Sequence, residues 1–295
     1  MKIYWYEHTG AHNIGHFLDD MCIPFYGAMK KRNLVGKDYQ VIMKRNSDSS
    51  GKFILPDVWD FLCKNKVKFV DAHPKIKNDY RKIYIEGEGP VNLGGGHYRG
   101  FSNDLLNHFD IKRKKPQRII VLKRSTRRRI VNEDELIKGL KTLGREVYAV
   151  EFGKMSFQQQ LQELQDCSAL IGYHGAALMN TLFTPTNSST LEVLPYGWPY
   201  GRYKKVGRAR GQNYLQWRNP DPKKSITNRP TKFDTSVTPL KNPKILHKKQ
   251  CPPNSPIRKT DAWKKAAQLK TYFQSADTIV DVNAIVKIVK NKMLK

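Results

Sequence analysis

The chain has 295 residues, and 53 Lys and Arg against 26 Asp and Glu give it a formal net charge of +27. Its 39% hydrophobic and 11% aromatic content excludes wholesale disorder, and the length suits two domains or one large one. No apolar run approaches the roughly 18–20 residues of a membrane span, the opening Met1–His8 has no secretory leader pattern, and Cys22, Cys63, Cys167 and Cys251 are too scattered for a zinc cage or a disulfide framework.

In chain order, residues 2–6 read as a strand, 16–31 as a helix, 58–64 as a second helix, and 67–70 and 82–86 as strands. This gives an amino-terminal α/β domain over 1–110, joined onward near Gly94-Gly95-Gly96, Gly100 and the basic run Lys112–Lys115. Residues 118–123 form a β-branched strand. A helix follows, with Asn132 as N-cap, Glu133, Asp134 and Glu135 in its first turn, and Gly144 near its end. Strands are predicted at 146–150, 169–172 and 190–194. Ser156 and Gln159 make a capping box for a helix to about 165, and 176–183 is a short helix. Strands separated by helices imply right-handed crossovers and a parallel, doubly wound sheet, Rossmann-like over about 112–215. Between Arg202 and Lys249, 14 Lys and Arg stand against Asp221 and Asp234, and half of the 16 prolines lie between Pro220 and Pro256. Residues 202–256 therefore read as a basic excursion with little regular structure, inside a second domain over 111–260. In 261–295, Ala262, Ala266 and Leu269, then Ile279, Val282, Ile285, Val286 and Val289, are spaced as helices that pack back onto a domain.

Three constellations could carry chemistry. Asn13, His16 and Asp20 are spaced by three and four, so a helix puts them on one face. A carboxylate beside an imidazole can act as a general base; the plainer reading makes Asn13 a cap and His16–Asp20 an ordinary pair. The run Lys123-Arg124-Ser-Thr-Arg127-Arg128-Arg129 lies where a strand ends and a helix begins, the ligand edge of a parallel sheet. Arg124 and Arg129 are the chosen phosphate ligands there, with Arg127 and Arg128 as surface members. In Tyr173-His174-Gly175-Ala176, small residues let the backbone approach a ligand and its N–H groups face an anion, with Asn180 in support. Glu192 on the next strand is a possible ribose acceptor.

The sequence lacks a Gly-x-x-x-x-Gly-Lys-Ser/Thr loop, His-Glu-x-x-His, Gly-x-Ser-x-Gly and Gly-x-Gly-x-x-Gly. It also has no Asp-x-Asp with which to hold a divalent metal at a diphosphate, so Arg, Lys, His and helix dipoles are expected to neutralise one, with no metal and no other cofactor. The surplus of base also admits a nucleic-acid-binding protein without enzymatic activity. No zinc-finger spacing or RNA-binding signature supports a specific nucleic acid as partner.

Four ordered blocks together resemble glycosyltransferase family 61: Asn13-x-x-His16-x-x-x-Asp20; Arg124-Ser-Thr-x-x-Arg129-Ile-Val-Asn132; Ser156-Phe-x-x-Gln159-Gln160 with Cys167-Ser-Ala-Leu-Ile-Gly172; and His174-Gly-Ala176 with Phe183 and Leu191-Glu192-Val-Leu-Pro195. Asn213-Tyr-Leu-Gln-Trp217 extends the match. The resemblance implies a GT-B fold, two Rossmann-like domains facing across a cleft, and inverting, metal-independent transfer from a UDP-sugar to a hydroxyl of a glycan or glycoprotein. It assigns 1–110 to the acceptor and 111–260 to the nucleotide. Arg124, Arg129, His174 and the amides of Gly175 and Ala176 would hold the diphosphate. Ser156, Phe157 and Tyr173 would surround uridine, and Asp20 would take the acceptor proton, oriented by His16 and Asn13. Family precedent puts UDP-xylose first as donor and UDP-N-acetylglucosamine second.

Eukaryotic members of the family begin with a membrane anchor and stem. Their lack here points to a soluble bacterial or viral form working in the cytoplasm, with the sequon Asn187-Ser188-Ser189 unmodified. A catalytically silent relative that only binds is the remaining alternative.

Overall fold

The computed structural model describes residues 1–47, 53–72, 79–198, 203–227, 273 and 275–294. The described residues fall into two compact units. One comprises Met1–Arg113 with Phe157–Gln162; the other comprises Lys114–Ser156 and the chain from Glu163 onward.

The first unit is built on a five-stranded sheet of order β3-β2-β1-β4-β5, from β1 (Lys2–Tyr6), β2 (Gln40–Lys44), β3 (Lys68–Val70), β4 (Lys82–Ile85) and β5 (Gly89–Asn92). β1, β2 and β3 are parallel, but β4 runs antiparallel to β1 and β5 antiparallel to β4. The expected all-parallel sheet is thus a mixed one here. Its reversal is a tight turn, with Gly87 and Gly89 at φ +89° and +87°, so β4 reaches β5 without a crossover helix. Trp5 on β1 stacks on Phe25 at 5.0 Å, and Phe25 meets Trp59 at 5.3 Å. Each such pair contributes about 0.5–1.5 kcal/mol beyond area burial. The helix Tyr98–His108 occupies the segment read as a join. Gly100, which suggested a linker, is small because a Cβ there would stand 3.0 Å from Tyr26 Oη.

In the second unit β6 (Arg118–Leu122), β7 (Val147–Val150), β8 (Cys167–Tyr173), β9 (Ser189–Leu194) and β10 (Asn213–Arg218) are all parallel, in the order β10-β9-β8-β6-β7. β9 is buried along its whole length, as an inner strand covered on both faces must be. The helices Glu133–Lys141 and Val282–Lys292 pack together over Ile119, Val121 and Ile171, through Leu136, Leu140, Ile285 and Val289. Burying each such side chain contributes roughly 1.5–3 kcal/mol. The last helix begins at Asp281, whose Oδ1 accepts from Ala284 N at 2.9 Å. Asn132 precedes the first of them without capping it. Its amide accepts from Val280 N and donates to Val280 O at 2.9 and 3.0 Å, 148 positions away.

The basic excursion needs correction at its start. Lys204–Arg210 is a helix and β10 follows it, because no proline intervenes before Pro220 and Tyr214 and Trp217 are buried. Ser225–Ile226 then pairs with Asp277–Thr278. The helical pattern of Ala262, Ala266 and Leu269, and the basic stretch beyond Thr227, lie outside the described residues.

Candidate functional site

In the first unit the chain leaves β1 at Tyr6, turns through Glu7–His12 and enters a long helical run: Ile14–His16, a π-helical stretch Phe17–Cys22, and Ile23–Lys30. Asn13 caps it, Oδ1 accepting from Gly15 N at 2.9 Å, so the plainer reading of Asn13 describes its side chain. His16 Nδ1 lies 2.7 Å from Asp20 Oδ2. The π stretch, a form of winding that collects at functional sites, carries the two adjacent carboxylates in different directions. Asp19 is buried and accepts from Tyr98 Oη at 2.7 Å, while the Asp20 side chain keeps 19% exposure and that of His16 34%. Asp20 is therefore the reachable carboxylate of the pair, held by an imidazole. His8, which sequence reasoning passed over, joins them: its Nε2 is 3.7 Å from Asp20 Oδ2 and its ring stacks on His16 at 5.0 Å. Its position just past the end of a parallel strand was the available signal.

In the second unit the strand order reverses between β6 and β8, the place where open α/β sheets bind ligands beyond their carboxyl ends. The loop after β6 carries the arginines and the loop after β8 carries His174-Gly175-Ala176, and the two meet. A Cβ on Gly175 would lie 2.2 Å from Arg124 Nη1. Arg128 Nη1 reaches the His174 carbonyl at 3.4 Å, from a backbone at φ +57° that non-glycine residues rarely adopt. Burial first, then repulsion from neighbouring guanidiniums, lowers the pKa of both Arg124 and Arg128. So much positive charge in one place is costly, and a bound anion relieves it.

His174 is buried, with Nδ1 2.5 Å from Glu192 Oε1, and its ring lies 4.6 Å from that of Trp198 and 5.7 Å from that of Tyr203. Glu192 is 0% exposed, and its other oxygen accepts from Gln216 Nε2 at 2.7 Å. In place of the ribose contact expected of it, Glu192 stands behind His174 and fixes Nδ1 as the protonated nitrogen, which leaves Nε2 for a ligand.

Of the other predicted residues, Arg129 is held by Asp277, Nε to Oδ2 at 2.7 Å and backbone N to Oδ1 at 2.8 Å, so its guanidinium is engaged where Arg128 turns to His174. Tyr173 lies in the core, donating to Ala276 O at 2.7 Å, and burial pushes its phenol up. Asn180 is buried on the 3₁₀ helix Ala176–Phe183, whose first residue follows Gly175. Ser156 is exposed and groups with the second unit, whereas Phe157 is buried and groups with the first. Arg128, expected at the surface, turns instead to the His174 carbonyl, and Trp198 and Tyr203 join it there, because a run of arginines and two isolated aromatics do not show from sequence which side chains turn toward a histidine.

Residues 14–191 match the family described as Glycosyltransferase 61. The EGF domain-specific O-linked N-acetylglucosamine transferase of Mus musculus is 35% identical over 134 residues, 42% of this chain and 25% of that protein. The protein O-linked-mannose beta-1,4-N-acetylglucosaminyltransferase 2 of Tetraodon nigroviridis is 24% identical over 241 residues, 73% of this chain and 42% of that protein. Among solved structures, a diflavin flavoprotein A3 from Nostoc sp. aligns with TM-score 0.30 and 14% identity over 37% of this chain and 82% of its own, too distant to bear on fold or function. No helix of the described residues is long and apolar enough to cross a membrane. The chain spans less than half the length of both curated relatives.

Proposed function

Because the chain belongs to glycosyltransferase family 61, we propose that it transfers a sugar from a UDP-sugar to a hydroxyl of a glycan or glycoprotein, with inversion and without a metal in the transfer step. The observation that carries this reading is the meeting of Arg124 and Arg128 with His174-Gly175 where the second sheet reverses its order. Guanidiniums there grip a diphosphate in place of the absent Asp-x-Asp and its metal, and stabilise the charge that develops as UDP departs. The backbone amides at Gly175 and Ala176 add donors beside the His174 ring. Asp20, held by His16, accepts the proton of the attacking hydroxyl while its oxygen bonds to the anomeric carbon from the face opposite the leaving phosphate. The GT-B arrangement is part of this proposal. Both relatives named above carry N-acetylglucosamine in their names, which favours UDP-N-acetylglucosamine as donor; the xylose expected from sequence gains no support from them.

The test separates the two halves. Replacing Asp20→Asn is expected to lower turnover by about 10²-fold or more while UDP affinity, measured by titration, stays unchanged. Replacing Arg124→Ala is expected to weaken UDP binding by more than about tenfold, since a hydrogen bond to a charged group is worth about 1.5–3 kcal/mol. Full turnover in the Asp20→Asn variant would remove the base, and unaltered UDP binding in Arg124→Ala would remove the donor site.

A further inference from the structure

We propose that His8, His16 and Asp20 form a binding site for a divalent transition ion, Zn²⁺ first among them, and that its occupation silences the carboxylate. The ligand atoms of the three residues all lie within 4.8 Å of one another. His8 Nε2 and His16 Nδ1 converge on a single oxygen, Asp20 Oδ2, at 3.7 and 2.7 Å. A tetrahedral ion with bonds of about 2.0–2.1 Å sets its ligand atoms about 3.4 Å apart, between those two values, so small side-chain rotations suffice to admit it.

The donor set selects the ion. Two imidazoles and one carboxylate suit zinc and its neighbours, whereas Ca²⁺ takes six to eight oxygens and Mg²⁺ a near-octahedral oxygen shell. Three protein ligands leave a fourth position for water, as in open zinc sites. The ligands are already gathered before an ion arrives. The two imidazole rings are stacked within 19° of parallel, so one of them turns to bring both in-plane lone pairs onto the ion, and the His8 ring stands edge-on to Tyr80 at 4.1 Å. The turn that brings His8 back to the helix passes through Gly10 at φ +87°, where a Cβ would lie 3.5 Å from His16 Cδ2. The His16 side chain, 34% exposed, gives an ion its way in.

Occupation would tie the end of β1 to the helix through the metal and take the lone pair on Asp20 Oδ2 that the proposed transfer needs for the acceptor proton. Only this last consequence rests on the proposed function; the binding itself does not. The test uses the full chain, stripped with a chelator and titrated calorimetrically with ZnCl₂, beside His8→Ala, His8→Gln and Asp20→Asn, each checked for an unchanged circular dichroism spectrum. One saturable site is expected, weakened by more than about tenfold in every variant that folds, since even an outer partner of a metal ligand is worth 10–100-fold in affinity. Absence of saturable binding, or undiminished affinity in the folded His8 variants, would overturn the site. A parallel transfer assay is expected to show inhibition at the same zinc concentrations, reversed by EDTA. Zinc binding with the expected variant pattern but no transfer to any acceptor would sink the proposed function and leave the metal site standing. Transfer that zinc does not inhibit would remove the silencing alone.

Discussion

The Arg124 guanidinium lies directly against the Gly175 backbone. With 2.2 Å between a hypothetical Cβ on Gly175 and Arg124 Nη1, even alanine at 175 must push the guanidinium aside. Gly175→Ala is therefore expected to reduce UDP affinity, but by less than the more than about tenfold of Arg124→Ala, since the displaced guanidinium is still present. The double variant should be little worse than Arg124→Ala alone, because both act on one contact; titration of the three proteins with UDP reads this directly. The place of His174 and Gly175, where a strand runs into a small-residue turn, was legible in the sequence. The division of labour among the arginines was not. Arg128 turns inward only through its left-handed backbone, and Arg129 is claimed by Asp277, far along the chain. Glu192 was recognisable as a polar residue on a buried strand, but nothing local reveals that its partners are the histidine on one neighbouring strand's end and Gln216 on the other neighbour.

Elements were legible where hydrophobic period and caps agreed. The strands and helices from β6 to β9 fall within a few residues of expectation, and the 3₁₀ helix Ala176–Phe183 coincides with the short helix predicted there. The misses have packing causes. Glycine reads as a breaker, yet Gly100 sits inside a helix because Tyr26 comes too close for a side chain; Gly139, inside its helix as expected, is small for a like reason. At Gly139 a Cβ would lie 2.6 Å from Val282 Cγ1 and 3.2 Å from Val286 Cγ2, so the final helix rests directly on this spot. Gly139→Val is expected to destabilise the protein by about 1–3 kcal/mol through overpacking, seen as a lower urea midpoint with an unchanged slope. An unaltered midpoint would mean that the final helix does not press on Glu133–Lys141. The π winding of Phe17–Cys22 was invisible for a different reason. Spacings of three and four bring His16 to Asp20 in an α-helix as well, so the pairing was predictable and the sorting of Asp19 from Asp20 was not.

For the molecule as a whole, the +27 charge invites a reading as a nucleic-acid binder, and what the described residues offer is more local: a cluster of guanidiniums at one sheet edge. Screening gives a way to see its reach, since the Debye length contracts from about 10 Å at 0.1 M salt to about 3 Å at 1 M. UDP affinity is expected to fall several-fold across that range while uridine, which has no phosphate, binds with little change; equal salt dependence for both would detach the arginines from the diphosphate. Element order alone suggests two α/β units but not that Phe157–Gln162 groups with the first. Asp277 and Val280, by contrast, fasten the arginine loop through Arg129 and Asn132 across 148 positions, a link that no local pattern announces. During synthesis that loop emerges from the ribosome long before the residues that restrain it. A premature stop codon anywhere between positions 192 and 276 would leave the family signature intact in the product and yet deliver an arginine loop with its anchor missing.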